Sequence, residues 1–353
     1  MHKKILAAAV ATAVAGPAMA VNVFDDGTSS LSIGGRVGVV AKNNNGNNTL
    51  NNDSARINFK FAHKFDSGWT GQGVAEWGFR AKDEYEAIDD KEETFFNRLG
   101  YVGLSHEEMG AFAAGKNWSV TYDVSGWTDM YAIGGGSALG IYDGRNGGDF
   151  DGTARADDVI QYRNSFGGLN IGLQYQMEDH SVSGAQRDYG YGISASYDLA
   201  MGLSLGATYS ETKYIDKEKS KSATAGLKFE NERLYLAAMY GELTNKTQLN
   251  GNINVDVDVY ADAKSKGIEL YGRLAMNNVL QGFSLEAGYN ELKDNSSATT
   301  DQFKETLKET MIGAIYETGP MQFAVEYAID DSKNDTGKKE GDNTLSLQAR
   351  YYF

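Results

Sequence analysis

From Leu345 to Phe353 the chain alternates without a break. Leu345, Leu347, Ala349, Tyr351 and Phe353 hold one parity, and Ser346, Gln348, Arg350 and Tyr352 the other. A repeat of two sends successive side chains to opposite faces, so this is a strand with one apolar and one mostly polar face. The pattern recurs. Leu169, Ile171, Leu173, Tyr175 and Met177 alternate with Asn170, Gly172, Gln174 and Gln176. Leu203, Leu205, Ala207 and Tyr209 alternate with Ser204, Gly206, Thr208 and Ser210. Met321, Phe323, Val325, Tyr327 and Ile329 alternate with Gln322, Ala324, Glu326 and Asp330. Sixteen such runs are centred near residues 36, 60, 75, 99, 114, 160, 173, 194, 208, 225, 238, 268, 288, 312, 325 and 348. An even number suits a closed antiparallel barrel with both ends on one side, and aromatics near the run ends suit its interfacial girdles.

Two architectures share this alternation. A soluble sandwich buries its apolar face in one core and, at this length, more often splits into two domains. It leaves the Gly, Ser, Asn and Gln of the opposite face unexplained. A transmembrane barrel with lipid outside and water inside explains both faces. The mean hydropathy of −0.45 does not separate them, because lipid-facing and lumen-facing residues average out. The connections do. Asp66-Ser67-Gly68, Ser165-Phe166-Gly167-Gly168, Asn231-Glu232 and Thr318-Gly319-Pro320 are short; residues 42–54, 81–93, 178–187, 244–262, 294–306 and 331–342 are long and polar. Short turns on one side and long loops on the other are the outer-membrane arrangement. The expectation is an all-β, 16-stranded antiparallel transmembrane β-barrel in one domain.

The first twenty residues stand apart. Lys3 and Lys4 precede the apolar, small-residue run Ile5 to Gly16, and Ala18-Met19-Ala20 has the form of a cleavage site. This reads as a secretory signal peptide over residues 1–20, leaving a barrel over 21–353. The run is too short to span a bilayer as a helix. There is no Cys despite the export signal, so disulfides are not the staple. Of two prolines, Pro17 leaves with the signal and Pro320 lies in a turn, which suits unbroken backbone pairing. The net charge of −15, or −17 without Lys3 and Lys4, excludes nucleic acid as a partner. Acidic pairs such as Asp83-Glu84, Asp89-Asp90, Glu92-Glu93 and Asp330-Asp331 read as loop solubilisers or as bridges through divalent cations to lipid phosphates.

The longest connection, about Ser119 to Ala156, carries Thr128-Asp129-Met130, the run Gly134-Gly135-Gly136, and the acids Asp143, Asp149 and Asp151. Loops of this length inside a domain are usually functional or disordered. Arg36, Arg56, Arg98 and Arg155 all take the parity opposite their apolar neighbours. In a lipid-spanning barrel that parity faces the lumen, since a charge toward lipid near the midplane costs about 2–4 kcal/mol. Arginine keeps its charge in a narrow site and so supplies a fixed field.

These residues carry a family resemblance. Ser54-Ala55-Arg56, Asn97-Arg98-Leu99 with Val102-Gly103-Leu104, Gly115-Lys116-Asn117, Tyr122-Asp123, Trp127-Thr128-Asp129-Met130 and Gln161-Tyr162-Arg163-Asn164-Ser165 resemble the general trimeric porins of Gram-negative outer membranes. The resemblance spans the mature chain in pattern and is closest from Arg56 to Tyr175. It implies a homotrimer of barrels, each with its third loop folded into the lumen. Basic wall residues, here Arg36, Arg56, Arg98 and Arg155, would face a loop acid, here Asp129. Lys116 falls on a position that a neighbouring subunit's second loop engages, with Glu84 or Glu86 as its partner. Phe353 resembles the terminal assembly signal read by the barrel assembly machinery. The location implied is the cell outer membrane, among its lipids including lipopolysaccharide. One departure stands out: the family often follows Thr-Asp-Met with Pro-Glu-Phe-Gly-Gly, and this chain has Ala132-Ile133-Gly134-Gly135-Gly136. The glycines remain, but Ile133 replaces the glutamate. Asp143, Asp149 or Asp151 are the candidates to compensate.

The expected function is diffusion of small hydrophilic solutes and ions through a water-filled pore with a charged constriction. Net acidity favours cations at the mouth, while the arginines oppose them; the balance expected is weak cation selectivity. Other classes fit less well. His63, His106 and His180 form no evident constellation, no G-x-S-x-G occurs, and there is neither Cys nor a close His pair for metal. No enzyme activity, cofactor or metal is expected. The run 143–152 is acidic but does not have EF-hand spacing. A substrate-specific channel would use an aromatic path, for which Trp69, Trp77, Trp118 and Trp127 are candidates, although girdle and turn positions account for them more simply. An adhesin or receptor role through the loops is compatible with the same barrel.

Overall fold

A computed structural model describes residues 20–79, 95–139, 150–181, 186–215, 218–245, 264–294, 306–334 and 336–353. Its strands are β1 (Val21–Asp25), β2 (Ser29–Asn44), β3 (Asn47–Asn52), β4 (Arg56–Lys64), β5 (Trp69–Phe79), β6 (Phe95–His106), β7 (Gly110–Trp118), β8 (Arg155–Phe166), β9 (Leu169–Gln176), β10 (Arg187–Asp198), β11 (Leu203–Tyr214), β12 (Ser220–Glu230), β13 (Leu234–Thr244), β14 (Lys264–Ala275), β15 (Phe283–Asp294), β16 (Thr306–Thr318), β17 (Met321–Asp330) and β18 (Thr344–Tyr352). Each of the sixteen centres expected from alternation falls inside one of them. A single helical turn, α1 (Tyr122–Ser125), lies in the loop between β7 and β8.

Eighteen segments make sixteen staves, because two staves are composite. The long strand β2 pairs along one edge with β18 through Arg36–Asn44 and with β1 through Ser30–Ile33. Phe353 and Gly35 exchange both backbone hydrogen bonds at the junction, at 2.8 and 3.1 Å. The two chain ends therefore form one stave, and this seam closes the barrel. Along its other edge β2 pairs with β3 through Val39–Asn44 and with β4 through Ser29–Arg36. Residues 53–55 interrupt that second composite stave, with Ser54 at φ 49°.

The structure corrects the long connection expected over residues 42–54. β2 runs to Asn44, and Asn45-Gly46 turns the chain directly into β3. Both turn residues have positive φ, 48° and 89°, the backbone that an Asn-Gly hairpin turn uses and that matches the twist of the flanking strands. The Asn-rich flanks hide the strand because they carry no apolar alternation. His106 closes β6, and its ring packs 5.1 Å from that of Trp69.

Burial inverts the order of a soluble protein. Leu173, Tyr175, Ile193, Leu205, Leu227, Val325 and Leu347 are exposed on the outside, while Gln174, Gln176, Ser194, Thr208, Thr224, Asn290 and Gln348 are buried toward the inside. An apolar outer surface needs lipid, and a polar lumen keeps every strand's second face wetted or hydrogen-bonded.

Candidate functional site

The described parts of the connection between β7 and β8, residues 119–139 and 150–154, lie on the lumen wall. The wall makes room for them through small residues at lumen-facing positions. Val120 packs over Gly172, Thr121 over Gly192, Val124 and Trp127 over Gly206, and Leu139 over Gly241. The alternating Gly and Ser positions on these strands thus form a track for the loop. Val124, Trp127 and Leu139 join Ala237 and Met239 in a small apolar cluster between loop and wall.

Carboxylates of the wall then capture the loop backbone. Glu269 on β14 accepts from the amides of Ala138 at 2.8 Å and Leu139 at 3.0 Å, and from the Thr128 hydroxyl. Glu286 on β15 accepts from the Ala132 amide at 3.2 Å and the Tyr271 hydroxyl at 2.9 Å. Glu326 on β17 accepts from the Gly134 amide at 3.1 Å, and Glu309 on β16 from the Ser137 hydroxyl at 2.7 Å. A Cβ on Gly136 would stand 2.7 Å from a Glu269 oxygen, which explains the glycine: only a bare backbone approaches a carboxylate this closely. Burial, then the charges of Glu269, Glu326, Glu286 and Glu309, push the Tyr131 hydroxyl far above its usual range. It remains a donor, bonding the Leu270 carbonyl at 3.1 Å.

The returning leg is pinned by Arg187, whose side chain is fully buried at the start of β10. Its guanidinium donates to the Phe150 carbonyl at 2.6 Å and pairs with Asp157 at 3.1 Å and Asp158 at 2.9 Å. Asp157, Asp158 and Asp179 converge on one point, and the cation at that point is this guanidinium. Asp151 is buried and accepts from the Tyr214 hydroxyl, so it serves the loop's anchoring. Asp143 and Asp149 lie outside the described residues.

The basic residues gather on the wall near the seam. Arg36 and Arg56 are register partners across β2 and β4. Arg56 and Arg98 share Glu76, at 3.6 and 2.7 Å, and Arg350 pairs with Asp53, one contact at 2.8 Å. Arg36, Arg56, Arg98 and Arg350 lie within interaction range of one another. Among the described residues, four guanidiniums stand against two carboxylates on this stretch, an excess of two positive charges. Arg350 is a member that sequence reading did not single out, although it holds lumen parity in the terminal strand. Arg155 opens β8 opposite Trp118.

Asp129 accepts from the Tyr122 hydroxyl at 2.7 Å and from the Gly136 amide at 3.2 Å. Glu76 and Asp53 are the acids that bond Arg56, Arg98 and Arg350. Ile133, in place of a glutamate, packs against Ala132, Ile315 and Ala324. Lys116 lies on β7 at a register shift, and Glu84 and Glu86 lie outside the described residues. Trp118 and Trp127 belong to the lumen: Trp118 stacks on Tyr122 with ring centroids 4.1 Å apart. Arg163 pairs with Asp123 of α1 at 2.7 Å and donates to the Trp118 carbonyl at 2.9 Å, fixing the point where the loop enters.

Comparison with known proteins gives a consistent result. A family model described as Gram-negative porin matches residues 7–262. Outer membrane porin N of Escherichia coli K12 is 30% identical over the whole of both chains. Outer membrane porin F of Xenorhabdus nematophila is 29% identical over 100% of this chain and 98% of its own. Among solved structures, Salmonella typhi OmpF in complex with daunomycin superposes with a TM-score of 0.76 at 23% identity, covering 94% of this chain and 100% of that one. OmpT of Vibrio cholerae, in its trimer form, gives 0.68 at 14% identity over 92% and 100%.

Proposed function

Since the chain belongs to the Gram-negative porin family and forms an outer-membrane diffusion channel, we propose that solutes are selected where the docked third loop faces the arginine wall. Arg36, Arg56 and Arg98, with Arg155 on β8, supply fixed positive charge, and Asp129 is the loop's own acid. The observation that carries this reading is the internal loop, held on the lumen wall by Glu269, Glu286 and Glu326. A field across a narrow wet gap orders water and small polar solutes, which pass; apolar molecules must shed that water. Net charge of −15 draws cations to the mouth, and the reading is weak cation preference. Single-channel conductance of refolded protein in a planar bilayer, with reversal potential in a KCl gradient, tests both: steady large steps with a small cation-favouring potential are expected, and folded protein without conductance refutes the selection mechanism.

The reading includes assembly. Outward positions on β2 to β6 are uncharged among the described residues, and Gly73, Ala75 and Gly100 make part of that face flat. A flat uncharged face suits packing against further copies as a homotrimer, with Lys116 and Glu84 or Glu86 as contacts. Residues 1–20 are read as a cleaved signal peptide, so N-terminal sequencing of the exported protein should begin at Val21. Phe353 is read as the assembly signal for the barrel machinery, and the outer leaflet's lipopolysaccharide as the lipid environment. The chain is read as non-enzymatic. Ser29 Oγ does meet His63 Nδ1 at 2.8 Å, but on an exposed rim outside the lumen, and hydrolysis of ester substrates by purified protein would refute this part.

A further inference from the structure

Residues 130–139 of the third loop carry no charged side chain. The wall carboxylates beneath them, Glu269, Glu286 and Glu326, are buried and turn their oxygens to the loop's own amides. What this stretch shows the pore is therefore uncharged, and at Met130, Tyr131 and Ile133 it is apolar. Ile133 packs against Ala132, Ile315 and Ala324 yet is only half-buried, as are Met130 and Tyr131. The loop lies inside the barrel, so the surface these side chains leave exposed faces the lumen and not lipid.

Register sets this apolar lip beside the arginines. The Gln348 side chain donates to the Ala132 carbonyl, and Gln348 pairs with Ala324 on β17 and with Val40 on β2. Lumen-facing positions recur every second residue. The next pair along β18 and β2 is Arg350 with Gly38, and the one after it is Tyr352 with Arg36. The arginines therefore follow the lip by about 7–13 Å along the strands. Asp53 holds Arg350, and Glu76 holds Arg56 and Arg98. Arg36 differs. Its Nε donates to the Ser54 carbonyl at 3.1 Å, and among the described residues it forms no ion pair. The far end of its guanidinium is left for an anion. An apolar surface and a free guanidinium at this spacing fit one class of solute, a carboxylate on a short aliphatic tail. A neutral sugar engages neither end fully, and a wholly polar anion engages one.

We propose that Ile133 makes the narrowing select amphipathic carboxylates, which lay the tail on the loop and the head against Arg36. The proposal rests on the reading that solutes are selected between the loop and the arginine wall, and it names the solute class. Small-ion preference is a separate matter: net charge acts on every ion at the mouth, whereas contact with Ile133 needs a tail. The test is block of single-channel current by butyrate, hexanoate and octanoate at neutral pH and constant ionic strength, with refolded full-length protein. Covering a methylene completely changes affinity about fourfold, and covering one side of it about twofold. Octanoate should therefore block the wild type about sixteenfold more tightly than butyrate. I133S should flatten that ratio to below about fourfold, and I133A, which keeps an apolar cover over Ile315 and Ala324, should fall between and serves alone if I133S does not fold. R36Q should weaken block by all three acids by a similar factor and leave their ratio as in the wild type. Octylammonium, with the octanoate tail length and the opposite charge, should not block, which separates binding in the pore from partition into the bilayer. The proposal is overturned if I133S and I133A keep the wild-type ratio, if R36Q blocks like wild type, or if octylammonium blocks as well as octanoate. A wild type that does not conduct, or whose reversal potential R56Q/R98Q does not move, refutes the selection mechanism itself; a wild type that conducts and responds to R56Q/R98Q, yet is blocked equally by butyrate and octanoate, overturns this inference alone.

Discussion

Replacing Glu269 by alanine should loosen the third loop without opening the barrel. Glu269 is wholly buried and takes three donors from the loop: the amides of Ala138 and Leu139 and the Thr128 hydroxyl. The hydroxyl can turn to another acceptor, but the two amides cannot. Leaving a buried donor unmet costs about 1–3 kcal/mol each, so the docked loop loses roughly 2–6 kcal/mol. Water can enter this lumen and satisfy part of the loss, which places the expectation at the lower end, about 2–3 kcal/mol. The strands keep their ladders, and the loop keeps its bonds to Glu286 and Glu326. E269A should therefore retain heat-modifiable migration while its single-channel current becomes noisier and its permeability to larger neutral sugars rises. E269Q, which keeps one acceptor oxygen, should fall between. Current noise and sugar flux identical to wild type in a folded E269A would refute the reading that wall carboxylates hold the loop.

Removing positive charge from the wall with R56Q/R98Q should move the reversal potential toward cations, and an unchanged potential would exclude these arginines from the ion path. Replacing Arg187 by methionine removes a buried guanidinium that bonds the Phe150 and Met177 carbonyls and the partly exposed Asp157 and Asp158 and should cost about 1–3 kcal/mol, read as earlier thermal unfolding; an equal midpoint would mean that the returning leg does not depend on it. Arg350→Ala leaves Asp53 buried without its partner and should slow refolding of the seam, followed by the appearance of the heat-modifiable form. Hydrogen bonds from the Ser29 and Thr28 backbone amides hold the Asp26 carboxyl below its usual 3.8. Its folded-state value being depressed, its small contribution is present above pH 3.8 and fades as pH falls through the lower folded value, which titration by NMR would check.

Alternation alone placed all sixteen strand centres, because every strand separates lipid from water and so must write that boundary into its side chains. β1 and β3 escaped for the complementary reason. They are short half-staves, β3 is asparagine-rich, and neither carries a run of apolar parity; the Asn45-Gly46 pair was the available signal. The same parity rule that found Arg36, Arg56 and Arg98 also marks Arg350, Glu269, Glu286 and Glu326, all charged residues at lumen positions within strands. What parity cannot give is distance around the wall. It does not tell which charges meet, and so Glu76 and Asp53, which bond Arg56, Arg98 and Arg350, were not singled out. The glycine track was visible as composition, but its purpose appears only once Val120, Val124 and Trp127 lie in it.

The seam has a consequence for how the barrel is made. One edge of β2 meets Val21–Asp25 over part of its length and Thr344–Tyr352 over the rest. Arg36 finds its partner Tyr352 only across more than three hundred intervening residues. A nascent or truncated chain lacking its last segment can form hairpin after hairpin yet leaves that edge of β2 largely unpaired. Such an edge is a template for the wrong strand. Closure of the barrel therefore waits for the last strand, and any factor that protects the unclosed chain must hold β2 until the other end arrives.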